Sequence, residues 1–155
     1  PRMGFKHVLP HLVERFYNDN ENPFKIYGSE QTRAFCYITD ASEGTVLAME
    51  NENSDQEIYH MGSPEEIAIE ELTKTVGILM GYKGEYVTAS TYPGSVSRRC
   101  PDITKSKEQL GYLPKVSWKE GLKETISWYK DFFESGKPIQ SGGFEPPKNL
   151  SYKQK

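Results

Sequence analysis

The stretch Gln31-Thr32-Arg33-Ala34-Phe35-Cys36-Tyr37-Ile38-Thr39-Asp40 decides how this chain is read, because it runs from turn chemistry through an apolar segment into a helix signal. Gly28-Ser29 turns the chain just ahead of it, and Ala34 to Ile38 reads as a strand with Arg33 at its entrance. Asp40 with Glu43 three residues on is an N-cap pattern that opens a helix through Val46, Leu47 and Met49. Upstream, Phe24-Lys25-Ile26-Tyr27 alternates as a short strand after the break at Asn22-Pro23. Before that, Val8, Leu12 and Phe16 recur every four residues, so residues 6 to 18 read as a helix with Pro10 tolerated in its first turns.

Downstream, residues 51 to 56 form a polar loop and Ile58 to Met61 read as a strand. Ser63-Pro64-Glu65-Glu66 either caps a helix directly or turns first into an extended Ile67-Ala68-Ile69. Leu72, Val76 and Leu79 fix the helix in both cases, and Gly81 ends it. Tyr86 to Ala89 suits a further strand, and Tyr92-Pro93-Gly94-Ser95 delivers Arg98 and Arg99 on a loop. A short helix runs from Thr104 to a stop at Gly111. Ser117 and Glu120 make a capping box for a last helix whose Leu122, Ile126, Tyr129 and Phe133 share one face. Residues 135–155 carry few apolar anchors and read as a disordered tail, which leaves 1–134 as the folded domain.

The chain of 155 residues, with 35% hydrophobic and 12% aromatic residues, can build one core. Its net charge of −3 gives no broad positive field for nucleic acid. Its apolar runs fall far short of the roughly 18 residues a membrane helix requires, and no signal-peptide pattern opens it. Cys36 and Cys100 make no metal-ligand spacing, and a reducing cytoplasm is the simplest setting. His7 and His11 sit four residues apart with no glutamate or third ligand nearby, so they read as helix-surface residues, and His60 reads as a strand residue. Glu65 and Glu66 read as capping residues and Trp118 and Trp128 as packing residues. The arginines are different. A guanidinium is always charged and its rigid fork fits two phosphate oxygens, so Arg33 with the Arg98-Arg99 pair suits a diphosphate.

The segments around these arginines carry a resemblance. In order they are Pro1-Arg2-Met3-Gly4-Phe5-Lys6-His7-Val8-Leu9-Pro10, Ile26-Tyr27-Gly28, Arg33-Ala34-Phe35-Cys36-Tyr37-Ile38 with Asp40, Ile58-Tyr59-His60-Met61-Gly62, Arg98-Arg99-Cys100-Pro101-Asp102 and Leu110-Gly111-Tyr112-Leu113-Pro114. To about Phe133 the chain resembles the C-terminal, substrate-binding lobe of the extended short-chain dehydrogenase/reductases, the NAD-dependent epimerase/dehydratase family. The UDP-glucuronate decarboxylase and dTDP-glucose dehydratase branches are the most similar.

The resemblance implies a small mixed α/β lobe without its Rossmann half. It also implies a UDP- or dTDP-linked sugar whose diphosphate is held by Arg33, Arg99 and Arg98, with Val8, Ile26 and Tyr27 lining the nucleoside pocket. The helix at Val8 would pack beside the nucleotide, and the segment around Ile58 would join the large sheet of the missing half. Apolar surface left exposed would favour self-association. NAD would be bound mainly by the absent half, because no Tyr here has a Lys four positions on and Gly81-Tyr82-Lys83-Gly84 follows no βαβ unit. A competing expectation is a non-enzymatic interaction module that keeps this architecture and docks a partner chain.

Overall fold

The computed structural model describes residues 7–18, 21–91 and 93–135. Its elements, in chain order, are α1 (Val8–Asn18), β1 (Phe24–Tyr27), β2 (Thr32–Ala34), α2 (Ile38–Glu50), β3 (Glu66–Ala68), α3 (Ile69–Met80), β4 (Tyr86–Ala89), β5 (Arg98–Arg99), α4 (Thr104–Leu110) and α5 (Trp118–Glu134). Of the four-residue repeat in α1, Leu12 is buried, with Val13 beside it, while Val8 is 38% exposed; α1 packs on α3, which in turn packs on α5. Between these helices lies the main core, where Phe24 and Ile26 of β1 meet Leu72 and Val76 of α3 and Leu122, Ile126 and Tyr129 of α5. A second, smaller cluster of Ile103, Leu110 and Tyr112 sits under α2, where the Gly44 backbone comes close to the Tyr112 ring and Met61.

Two small sheets hold the strands. β1 and β4 pair in parallel with Phe24 opposite Tyr86 and Tyr27 opposite Ala89. The other sheet has the order β3-β2-β5, with β2 antiparallel to β3 and parallel to β5. Gly81 and Gly111 both adopt left-handed backbone, and their N–H groups close the ends of α3 and α4 as the sequence predicts. The capping box at Ser117 and Glu120 is formed in full.

Several expectations need correction. The strand expected at Ala34 to Ile38 lies earlier, because Thr32 and Arg33 find partners on both sides and Ala34 one on β3, while Ile38 already begins α2. Arg33 therefore stands in the middle of β2 and not at a strand entrance. Asp40 does not cap α2. Its buried carboxylate sits in the first turn and accepts from the Val116 N–H at 3.0 Å, tying α2 to the approach to α5.

Ile58 to Met61 forms no strand among the described residues, and His60 is accordingly not a strand residue. Met61 and Tyr59 pack onto the second core while Ile58 is 80% exposed. Of the two readings at Ser63 to Glu66, the extended one is realised, so Glu66 belongs to β3 and caps nothing. Arg98 and Arg99 form β5 and are not loop residues. The polar loop after α2 contains a 3-10 turn at Glu52–Ser54. Of the expected tail only Ser135 is described, turning off the end of α5; residues 136–155 lie outside the described residues, as do Pro1 to Lys6.

Candidate functional site

Arg33 and Arg99 are register partners on the adjacent parallel strands β2 and β5, so the two arginines stand side by side. Their environments differ. The Arg33 guanidinium donates to the Val96 carbonyl at 2.7 Å, the Thr32 carbonyl at 2.6 Å and Gln31 Oε1 at 3.2 Å. Gln31 is itself held by the Ser95 hydroxyl, at 2.9 and 3.0 Å, so Arg33 and Gln31 together shape residues 95–97 into a fixed approach to β5. These acceptors engage both Nη groups of Arg33 without cancelling its charge. Arg99 is exposed and makes no side-chain hydrogen bond or ion pair among the described residues.

Arg98 is committed elsewhere. On the opposite face of the sheet its Nε and Nη2 donate to Glu66 Oε2 at 3.0 and 2.8 Å, and the other Glu66 oxygen accepts from the Thr32 hydroxyl. These bonds hold the Glu66 carboxyl below its ordinary range, the Thr32 hydroxyl being the largest cause and Arg98 the next. Glu66 is the residue that sequence reasoning missed. A strand glutamate in a Ser-Pro-Glu-Glu run looks like a cap, and only the register of three strands shows that it reaches Arg98.

The apolar residues expected at the site are not gathered into one pocket. Val8 opens on a cavity of about 620 Å³ lined also by Pro10, Phe35, Tyr37, Trp118 and Trp128, and none of the three arginines borders it. Ile26 is only 2% exposed, because the alternation of β1 turns it inward with Phe24, so it lies in the core behind the surface. Tyr27 is half exposed at the carboxyl end of β1, with the Arg15 guanidinium 5.5 Å from its ring centroid. There the parallel pair β1–β4 runs out into a second cavity of about 530 Å³, walled by Gly28, Gln31, Thr88, Thr91 and Ser97. The carboxyl ends of parallel strands are where open α/β sheets take their ligands. Gln31 and Ser97 link this hydroxyl-rich cavity to Arg33.

Other groups in the neighbourhood are structural. Burial pushes the Tyr112 phenol up, with Cys36 Sγ 3.6 Å away, and the phenol donates to the Gly62 carbonyl at 3.0 Å. Both cysteines are free. Among the described residues no group of three or more His, Cys, Asp or Glu could hold a metal. No helix among them is long and apolar enough to cross a membrane. Gly81 and Gly84 end α3 and turn toward β4, which is not the setting of a dinucleotide turn.

A family model described as GDP-mannose 4,6 dehydratase matches residues 1–125. The chain belongs to that family, within the NAD-dependent epimerases and dehydratases. Among relatives of this family, the UDP-N-acetyl-alpha-D-glucosaminuronate decarboxylase of Bacillus cytotoxicus is 38% identical over 131 residues, which is 80% of this chain and 40% of that protein. The UDP-glucuronic acid 4-epimerase of Bacillus cereus, solved with UDP-glucuronic acid and NAD, superposes with a TM-score of 0.75 at 28% identity, over 85% of this chain and 42% of the other. The dTDP-glucose 4,6-dehydratase of Streptomyces venezuelae, solved with NAD bound, gives 0.77 at 25% identity, over 90% and 43%. The mixed α/β lobe is thus an epimerase/dehydratase fold, and this chain spans less than half the length of each of these relatives.

Proposed function

We propose that the chain is the nucleotide-sugar-binding portion of an NAD-dependent epimerase, dehydratase or decarboxylase, and that it anchors the diphosphate of a UDP- or dTDP-linked sugar. The observation that supports this reading best is the pair Arg33 and Arg99, in register on neighbouring strands with Arg99 free of any carboxylate among the described residues. Two like charges side by side repel, and a dianion between them relieves that repulsion. In this proposal Arg99 grips the diphosphate directly. Arg33 adds charge and holds the 95–97 segment in place, while Arg98, already paired with Glu66, contributes less. Tyr27, at the carboxyl end of β1 beside the smaller cavity, flanks the nucleoside, with Ile26 behind it as core support; Val8, on the separate larger cavity, takes no part in this grip. Anchoring a remote diphosphate turns binding energy into orientation of the sugar at the reacting carbon. NAD is taken by parts of the protein that lie outside this chain's matched lobe, and two free cysteines favour a reducing, cytoplasmic setting.

The test is a titration of the chain with UDP and with uridine, followed by NMR so that millimolar affinities are read. UDP is expected to shift the Arg99 side-chain and β5 amide signals. Arg99→Ala should weaken UDP binding about tenfold, the scale of one lost charge-assisted bond, and leave uridine unchanged. Arg99→Lys should recover only part of the loss. Absence of UDP binding, or an equal loss for uridine, would reject the diphosphate assignment.

A further inference from the structure

We propose that Glu66 is a positioning residue for the anion site, fixing Arg99 in place by strapping Arg98 across the three strands of the β3-β2-β5 sheet. The inference rests on the reading of Arg33 and Arg99 as the diphosphate grip. β5 is only two residues long and lies at the sheet edge, so its ladder with β2 comprises the pairs Thr32–Arg98 and Arg33–Arg99 alone. So short a strand needs side-chain help. Glu66 supplies it from the far strand: one carboxylate oxygen takes the Thr32 hydroxyl on the central strand, and the other takes Nε and Nη2 of Arg98 on β5.

Consecutive strand residues face opposite ways. Holding Arg98 on one face therefore aims Arg99 to the other, beside Arg33. Glu66 is only 26% exposed at its side chain against 66% for Arg98, which makes it the fixed end of the strap.

Glu66→Gln keeps the side chain's shape and its acceptor for Thr32 while removing the charge that holds Arg98. In the full chain, UDP affinity is expected to fall threefold to tenfold with uridine affinity unchanged, a split that general loosening of the fold would not produce. Arg98→Gln should fall to the same level, and the double variant no further, because the two residues act as one unit. Glu66→Arg combined with Arg98→Glu should regain much of the loss, since the strap is rebuilt with its ends exchanged.

Unchanged UDP affinity in Glu66→Gln, alongside a clear loss in Arg99→Ala, would overturn the positioning role and leave the diphosphate reading standing. Tighter UDP binding in Glu66→Gln would overturn it too, by showing that Arg98 is itself a phosphate ligand that Glu66 withholds. If Arg99→Ala also binds UDP normally, the diphosphate reading and the role of Glu66 fail together.

Discussion

At the scale of single residues, the three arginines carry the same charge but have three different occupations, and the difference comes from what stands opposite each. Carbonyls hold Arg33, a carboxylate holds Arg98, and Arg99 meets neither among the described residues. This division predicts a pH dependence. Glu66 titrates below its ordinary value of 4.5 in the folded chain. A carboxyl with a depressed folded value stabilises the fold above its unfolded value and loses that contribution as pH falls through the folded one. The strap should therefore be intact at neutral pH and release Arg98 only below about pH 4.5. The Arg98 Nε signal, followed by NMR from pH 7 downward, should move in that acid window, and in Glu66→Gln it should stay flat. A shift that persists in the variant would assign the titration to another carboxylate. Asp102, held low chiefly by the Thr104 hydroxyl, is the nearest such group in sequence.

At the scale of elements, close packing sets what the chain tolerates. A methyl group added at Gly44 would lie 2.7 Å from Met61 Sδ and 2.8 Å from the Tyr112 ring. Gly44→Ala should thus destabilise the chain by about 1–3 kcal/mol through overpacking, even though alanine is the better helix former. A chemical denaturation midpoint equal to the wild type would show that α2 slides to make room. The elements with local signals were legible in the sequence: the α1 repeat, the glycine stops of α3 and α4, and the Ser117 capping box are all written within a few neighbouring residues. The elements settled by distant partners were not. β2 and β5 exist because Arg33 finds Arg99 and Ile67, and no window around Arg33 contains either. Ile58 to Met61 has strand composition but no ladder among the described residues, since composition supplies propensity and not a neighbour. The site divides in the same way. The arginines were visible as residue types, while Glu66 and the Gln31–Ser95 brace came only from the register.

For the molecule as a whole, the chain spans less than half of its relatives' length, and none of its tyrosines has a lysine four positions on. Incubated with NAD and UDP-glucuronate, the chain should form neither NADH nor a keto-sugar; substrate-dependent absorbance at the NADH band would place chemistry on residues that have no such role here. The strand pairings also fix an order of events during biosynthesis. β1 is complete long before its partner β4, and β2 long before β5. Parallel partners so far apart in sequence make for late, non-local closure. A nascent chain leaving the ribosome carries Phe24 and Ile26 without the strand that will cover their edge, and Arg33 without Arg99. The Arg33–Arg99 pair is therefore among the last features of the two sheets to come into being: half of it is translated early and waits for the other half to arrive.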